Sequence, residues 1–117
     1  MKVGYARVST FEQDLDLQMD ALEKERCDRI FCDQGESGAK GSRPEWDNCL
    51  DHLRKGDTLI IWKLDRASRS TKHLIELAED LKERRVELLS LKEKIDTSTA
   101  MGKFFFRMTA SIAELDR

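Results

Sequence analysis

Hydrophobic and polar positions change period along the chain, and the changes predict strands alternating with helices. Residues 3–8 predict a first strand and residues 29–33 a second. Residues 58–62 form a continuous apolar run bounded by Gly56-Asp57 and Asp65, which is typical of a strand buried on both faces. Residues 86–91 predict a fourth strand. A strand buried on both faces implies a parallel sheet covered by helices.

The segments between these strands have apolar residues at helical spacing. We expect helices at about residues 12–26, at about 44–54 after Pro44 in the first turn, and at about 71–84. Residues 34–42 contain three glycines among polar residues and predict a loop. Together these elements predict an α/β fold: a three-layer open sheet, mostly parallel, with helices on both faces.

The last segment differs, because from about Thr99 its apolar residues fall near a heptad spacing. Ser98 or Thr97 could cap this helix. The apolar positions are Met101, Phe104, Phe105, Met108, Ile112 and Leu115, with Phe106 off the main stripe. No stop signal precedes the chain end, so we expect an α/β core at 1–96 and the truncated start of a long oligomerisation helix at 97–117. Two interpretations stay open: a helix facing a partner, which Met and Phe favour, or a last helix packed on its own sheet.

Composition and charge narrow the classes of function. The chain is 39% hydrophobic and 38% charged, without a membrane-length apolar run or a signal-peptide pattern, so a cytoplasmic location is expected. Three cysteines without CxxC spacing predict reduced thiols rather than a metal site. The 21 basic residues are offset by 23 acidic ones. Since nonspecific DNA affinity comes from clustered cations, another segment should supply most of any affinity for a duplex.

Two segments carry candidate chemistry. Residues 5–10 read Tyr-Ala-Arg-Val-Ser-Thr, and strand alternation places Tyr5, Arg7 and Ser9 on one face. Residues 62–70 read Trp-Lys-Leu-Asp-Arg-Ala-Ser-Arg-Ser and follow the buried strand. Ligands of α/β sheets bind at the carboxyl ends of the strands, where both segments lie. Alone, the first could be a strand with an accidental arginine and the second a surface salt bridge. Together they predict an anion site.

Phosphoryl transfer fits this set of residues. Arginine binds two phosphate oxygens and stays charged, and a serine hydroxyl can act as nucleophile to form a phosphoserine. A Mg²⁺ site at Asp33, Asp57 or Asp65 is an alternative, but Asp57 precedes its strand and so lies at the wrong edge.

These segments, with Gln13 and the residues Ile-Asp-Thr-Ser-Thr-Ala-Met-Gly-Lys-Phe-Phe-Phe at 95–106, resemble the catalytic domain of the serine recombinases. The resemblance is closest to the resolvase and DNA-invertase branch and covers essentially the whole chain. It implies that Ser9 attacks a DNA phosphate and becomes linked to the 5′ end. The implied phosphate-holding and active-site residues are Arg7, Arg66, Arg69 and Asp65, and the implied supporting residues are Tyr5, Gln13, Gln18, Arg43, Asp116 and Arg117. No metal or cofactor is implied.

The resemblance also implies partners: DNA, with dimers on each site and tetramers across two. Two departures matter. The family commonly has Glu-Arg where this chain has Asp116-Arg117, and the shorter Asp makes a catalytic or interface role there less secure. Relatives also continue this helix and add a helix-turn-helix domain, and we expect this chain to lack both. We therefore expect weak self-association and little recombination from this chain alone.

Two other classes stay open. One is a phosphate- or nucleotide-binding α/β regulatory module in which Ser9 only donates a hydrogen bond. The other is a non-catalytic oligomerisation domain. A nucleotide binder would usually show a glycine-rich loop opening a helix, which this sequence lacks.

Overall fold

The computed structural model describes residues 1–9, 15–35, 44–64 and 71–115 of the chain. Its elements alternate as the periodicity predicts. In chain order they are β1 (Lys2–Ser9), α1 (Leu15–Lys24), β2 (Arg29–Gly35), α2 (Pro44–His52), β3 (Thr58–Ile61), α3 (Thr71–Arg84), β4 (Glu87–Ser90), β5 (Ile95–Asp96) and α4 (Ala100–Leu115). Within these ranges, no helix combines the length and the apolar character needed to span a bilayer.

The strands form one sheet in the order β2-β1-β3-β4-β5. The pairs among the first four strands are parallel, and only β5 is antiparallel to its neighbour β4. This confirms the predicted mostly parallel sheet. Strand β5 was not predicted, because a two-residue strand has too few positions to show a period. Strand β2 also runs two residues further than predicted and brings Gly35 beside Ser9.

The core occupies both faces of the sheet. On one face, Tyr5 and Ile61 belong to a large buried cluster that also holds Trp46 of α2, Leu81 of α3 and Phe106 of α4. On the other face, Ala6 and Ile60 pack with Leu22 of α1. The predicted three-layer arrangement is therefore confirmed. Full burial of each large apolar side chain stabilises the fold by about 1.5–3 kcal/mol, so both layers hold the sheet in place.

Helix α4 is capped by Thr99, which was not predicted from the sequence. Thr99 accepts a hydrogen bond on Oγ1 from the Gly102 N–H, at 2.9 Å. The two predicted caps are used elsewhere: Ser98 donates its hydroxyl to Asp96 Oδ1, and Thr97 Oγ1 accepts from the Leu88 N–H. The prediction was wrong because the Ser98 hydroxyl is bonded to β5 and the Thr97 hydroxyl to β4 before the helix starts.

Helix α4 also contacts the sheet closely through Gly102. A Cβ added there would lie 1.7 Å from the Asp96 carbonyl oxygen, so only glycine allows this approach. Phe106 lies one turn further along, on the same side, and is buried in the core. One face of α4 is thus packed on its own sheet, as one of the two interpretations held.

Helix α3 ends in a Schellman turn with an arginine at the left-handed position. The Val86 N–H bonds to the Leu81 carbonyl at 3.0 Å, the Arg85 N–H bonds to the Lys82 carbonyl at 3.2 Å, and Arg85 has a φ of 57°. Glycine is the residue that usually occupies this position, because it has no Cβ to clash.

Replacing Arg85 by glycine should stabilise the fold. Glycine removes a left-handed strain of about 1–2 kcal/mol, offset by about 0.5–1 kcal/mol from its more flexible unfolded chain. We expect the free energy of unfolding in urea to rise for Arg85→Gly, relative to both wild type and Arg85→Ala, which keeps the strain. A lower value for Arg85→Gly than for Arg85→Ala would contradict this account of the turn.

Candidate active site

The parallel register brings the ends of the candidate segments to one edge of the sheet. Tyr5 pairs with Ile61, and β1 continues from there to Ser9, which pairs with Gly35 of β2. The chain leaves β3 at the same edge, and Leu64 is its last described residue before Asp65. The described residues of both segments therefore end at the predicted edge of the sheet.

The described residues cover only part of the predicted site. The backbone of Ser9 belongs to β1, but its side chain lies outside the described part of the structure. The other predicted residues outside it are Gln13, Arg43, Asp65, Arg66, Arg69, Asp116 and Arg117. Their convergence on one phosphate stays a prediction. The remaining three, Tyr5, Arg7 and Gln18, are described.

Gln18 of α1 holds the backbone of Arg7. Its Nε2 donates to the Arg7 carbonyl at 3.2 Å, and its Oε1 accepts from the Arg7 N–H at 3.3 Å. Gln18 is fully buried, and Arg7 is half-buried. The pairing of β1 with β3 ends at Tyr5, so the Gln18 amide supplies hydrogen bonds to β1 where β3 no longer runs alongside. It thereby fixes the strand two residues before Ser9.

Tyr5 connects β1 to the neighbouring strand. Its hydroxyl donates to Asp33 Oδ2 at 2.8 Å, and its ring meets Trp46 edge-on with centroids 4.8 Å apart. The sequence predicted Tyr5 as a supporting residue. Its bond to Asp33 goes across to β2, so Tyr5 ties the strand that carries Arg7 to the strand beside it.

Asp33 collects three hydrogen bonds at the carboxyl end of β2. Besides the Tyr5 hydroxyl, it accepts from the Glu45 N–H on Oδ1 and from the Trp46 N–H on Oδ2, both at 3.0 Å. N–H groups in the first turn of a helix have no acceptor within the helix, and Pro44 has no N–H to satisfy. A carboxylate at this end of a helix also meets the positive end of its dipole. Asp33 thus fixes the first turn of α2, which begins directly after the predicted supporting residue Arg43.

This engagement bears on the magnesium alternative. Both oxygens of Asp33 already accept hydrogen bonds from fixed donors. Asp57 accepts the Arg54 N–H at 2.8 Å and lies 3.3 Å from the terminal ammonium of Met1. It precedes β3, as predicted, and so lies at the opposite edge. Among the described residues, no three His, Cys, Asp or Glu side chains are grouped to hold a metal ion.

The three cysteines are free thiols, as the sequence analysis expected. Burial, with a smaller contribution from Glu25, raises the pKa of Cys27 to about 11. Burial raises the pKa of Cys49 to about 12, and it also raises the pKa of Cys32. Since the thiolate is the nucleophile and the metal ligand, all three are poor candidates for either role near neutral pH.

Comparison with known proteins supplies the family. Residues 2–117 match the family model described as Resolvase, N terminal domain. The chain belongs to this resolvase family. It is 52% identical over 117 residues to the Transposon Tn917 resolvase of Enterococcus faecalis, covering all of this chain and 63% of that protein. It is 49% identical over 117 residues to the serine recombinase gin of Escherichia phage Mu, covering all of this chain and 60% of that protein.

A solved structure agrees with this membership. The N-terminal catalytic domain of TP901-1 integrase superposes with a TM-score of 0.76 at 33% identity, covering all of this chain and 97% of that one. The chain spans about three fifths of the curated resolvase and recombinase above. These relatives are named for recombination and none for nucleotide binding, so they give the regulatory-module alternative no support.

The role of Asp33 as a hydrogen-bond acceptor for Tyr5 and α2 was not predicted from the sequence, where Asp33 was considered only as a metal ligand. One signal was available: alternation along β2 places Phe31 and Asp33 on the same face as Tyr5. The contacts with α2 join residues 12 and 13 positions apart, so the sequence alone does not show them.

Asp33→Asn should destabilise the domain by about 2 kcal/mol, because hydrogen bonds to a charged group are strong and the amide NH₂ would face an N–H donor. Tyr5→Phe removes one of the three bonds and should cost about 1 kcal/mol. The measurement is urea unfolding followed by circular dichroism. Asp47→Asn, on the exposed side of α2, serves as the matched control. An Asp33→Asn variant as stable as this control would contradict the assigned role.

Proposed function

We propose that this chain is the catalytic part of a site-specific DNA recombinase of the resolvase and invertase type. The observation that carries the proposal is family membership over residues 2–117, together with Ser9 at the carboxyl end of a central parallel strand. A nucleophile at this edge is where α/β sheets act on ligands. The chemistry breaks and rejoins DNA through a phosphoserine, as mobile genetic elements require.

Ser9 is the nucleophile in this proposal. Its Oγ attacks a backbone phosphorus, the new bond joins serine to the 5′ phosphate, and the bond from phosphorus to the 3′ oxygen breaks. The 3′ oxygen takes up a proton and leaves as a hydroxyl. Rejoining is the reverse attack, by a 3′ hydroxyl on the phosphoserine, which returns the proton and frees Ser9. The ester bond conserves the energy of the broken phosphodiester, so no cofactor is consumed.

Arg7, Arg66 and Arg69 hold the phosphate and stabilise the charge that develops on it. Each planar guanidinium can bind two phosphate oxygens, and it stays charged throughout the reaction. Asp65 either handles a proton or orients an arginine. The supporting residues are Tyr5, Gln13, Gln18, Arg43, Asp116 and Arg117. Of these, Gln18 makes two hydrogen bonds that fix the Arg7 backbone, which supports its assignment.

DNA is the proposed substrate and partner, although the chain has a net charge of −2. Duplex affinity depends on neutralised phosphates. We therefore assign most of the affinity to a helix-turn-helix domain in the intact protein, and only the scissile phosphate to this part.

Helix α4 is the proposed contact between subunits, in dimers and tetramers of the intact protein. On the side away from the core, Met101 is 63% exposed, Phe104 59% and Met108 38%. Met and aromatic residues are enriched at interfaces. Both interpretations of this helix thus apply, because its two sides have different partners.

The central experiment uses a fusion of this chain to the part of the Tn917 resolvase beyond the aligned region. Incubated in EDTA with supercoiled DNA carrying the site of that resolvase, the fusion should form a denaturant-resistant protein–DNA adduct. Ser9→Ala should abolish the adduct, whereas Ser98→Ala, at the opposite edge of the sheet, should not. An adduct that survives Ser9→Ala, or that requires Mg²⁺, would overturn the proposed function.

Arg66→Lys in the same fusion tests the role of the guanidinium. Lysine keeps the charge but loses the two-pronged hydrogen bond, and removal of one such donor typically lowers a rate by about 10²–10³-fold. We expect a large loss in the rate of adduct formation with unchanged DNA binding. An adduct rate equal to that of the wild type would exclude Arg66 from the phosphate site.

The chain alone should associate weakly through α4, with a dissociation constant above micromolar. Sedimentation velocity over a concentration series measures this. Phe104→Glu should remove the association, and Leu17→Glu, an exposed apolar position on α1, should leave it unchanged. A tight dimer at micromolar concentration, or equal effects of the two variants, would contradict the assignment to α4.

A further inference from the structure

The turn at residues 91–94, between β4 and β5, holds the exit of β3. Past the last paired residues, the Leu91 N–H donates to the Ile61 carbonyl at 3.0 Å and the Lys92 N–H donates to the Trp62 carbonyl at 2.8 Å. The turn closes at Lys94, whose φ of 58° reverses the chain toward β5. The turn therefore holds Ile61, the last residue of β3, and Trp62, the first residue beyond it.

The Glu93 side chain of the same turn also holds Leu64. Glu93 Oε2 accepts from the Leu64 N–H at 3.1 Å, and Glu93 Oε1 accepts from the Ser90 hydroxyl. Ser90 is completely buried, so its hydroxyl gives the carboxylate a fixed reference point in the sheet. One carboxylate thus bridges β4 to the residue directly before Asp65.

Leu64 is fixed by its side chain as well, because it is buried in the large cluster beneath the sheet. Its position is set from the core by the side chain and from the turn by the backbone. The residues that follow are the ones assigned to the phosphate, Asp65, Arg66 and Arg69. Their starting point in space is determined by these two contacts.

We infer that Glu93 is a positioning residue for the recombination reaction, acting through the Leu64 N–H on the segment that carries Arg66 and Arg69. The inference rests on the proposed function, since it assumes that these arginines bind the scissile phosphate. A displacement of about 1 Å at such a group lowers rates by about 10²-fold. Glu93 itself touches no substrate.

The chemistry of Glu93 separates a hydrogen-bonding role from a merely electrostatic one. Both of its oxygens accept, one from an N–H and one from a hydroxyl. Glutamine at this position can accept from Leu64 with its oxygen and donate its NH₂ to Ser90, because a hydroxyl both donates and accepts. Alanine can do neither. Glu93→Gln should therefore rescue most of what Glu93→Ala loses.

The test measures single-turnover adduct formation by the Tn917 fusion on supercoiled DNA. Glu93→Ala should form the adduct at least about tenfold more slowly than wild type, with DNA binding unchanged. Glu93→Gln should stay within about threefold of wild type, since its hydrogen bonds persist. Glu83→Ala, which removes an exposed glutamate from α3, is the matched control. A Glu93→Ala rate equal to that of Glu83→Ala, or no rescue by glutamine, would overturn the inference.

A second measurement needs no catalysis. In the chain alone, hydrogen exchange of the Leu64 amide should accelerate about fivefold or more in Glu93→Ala, because it loses its acceptor. Exchange that does not change in Glu93→Ala would overturn the inference at its structural step. A wild-type fusion that forms no adduct would instead contradict the proposed function, and the Leu64 exchange would still decide whether Glu93 holds this position.

Discussion

The structure depends on one constraint: parallel strands end at a common edge, and a chain leaving that edge loses the neighbour that held it. Three polar side chains replace the lost contacts. Gln18 bonds both backbone groups of Arg7 where β3 has ended, Asp33 binds the first turn of α2, and Glu93 binds the Leu64 N–H. Gln18 thus holds the backbone of Arg7, and Glu93 holds the residue directly before Asp65, both of which we propose as active-site residues. Asp33 holds the helix that begins directly after Arg43.

This arrangement bears on the proposal that three arginines, Arg7, Arg66 and Arg69, bind one phosphate at this edge. Arginine side chains near one another repel, and they spread apart unless their backbones are held. Here the backbone is held from the buried side. Gln18 and Asp33 are buried, and Glu93 is anchored by the buried Ser90. These polar groups therefore hold the backbone at the carboxyl edge of the sheet.

Much of the fold could be predicted from the sequence, because its signals are local. The apolar run of β3 indicated a strand buried on both faces, and the alternation of elements gave the three layers. The missed features depend on contacts distant in sequence. Strand β5 has two residues. Thr99 caps α4 because the hydroxyls of Thr97 and Ser98 are bonded to β4 and β5, and the bond between Asp33 and Trp46 spans 13 residues. Periodicity carries no information about such pairings. For the site, the sequence indicated the edge and the residues, but not the side chains that position them.

The central claim is that Ser9 becomes covalently joined to DNA. The most direct measurement is tandem mass spectrometry of the adduct trapped from the Tn917 fusion, after digestion of protein and DNA. The account predicts a nucleotide attached through its 5′ phosphate to Ser9, in the peptide that contains Arg7 or directly follows it. Attachment to another residue, or through a 3′ phosphate, would contradict it.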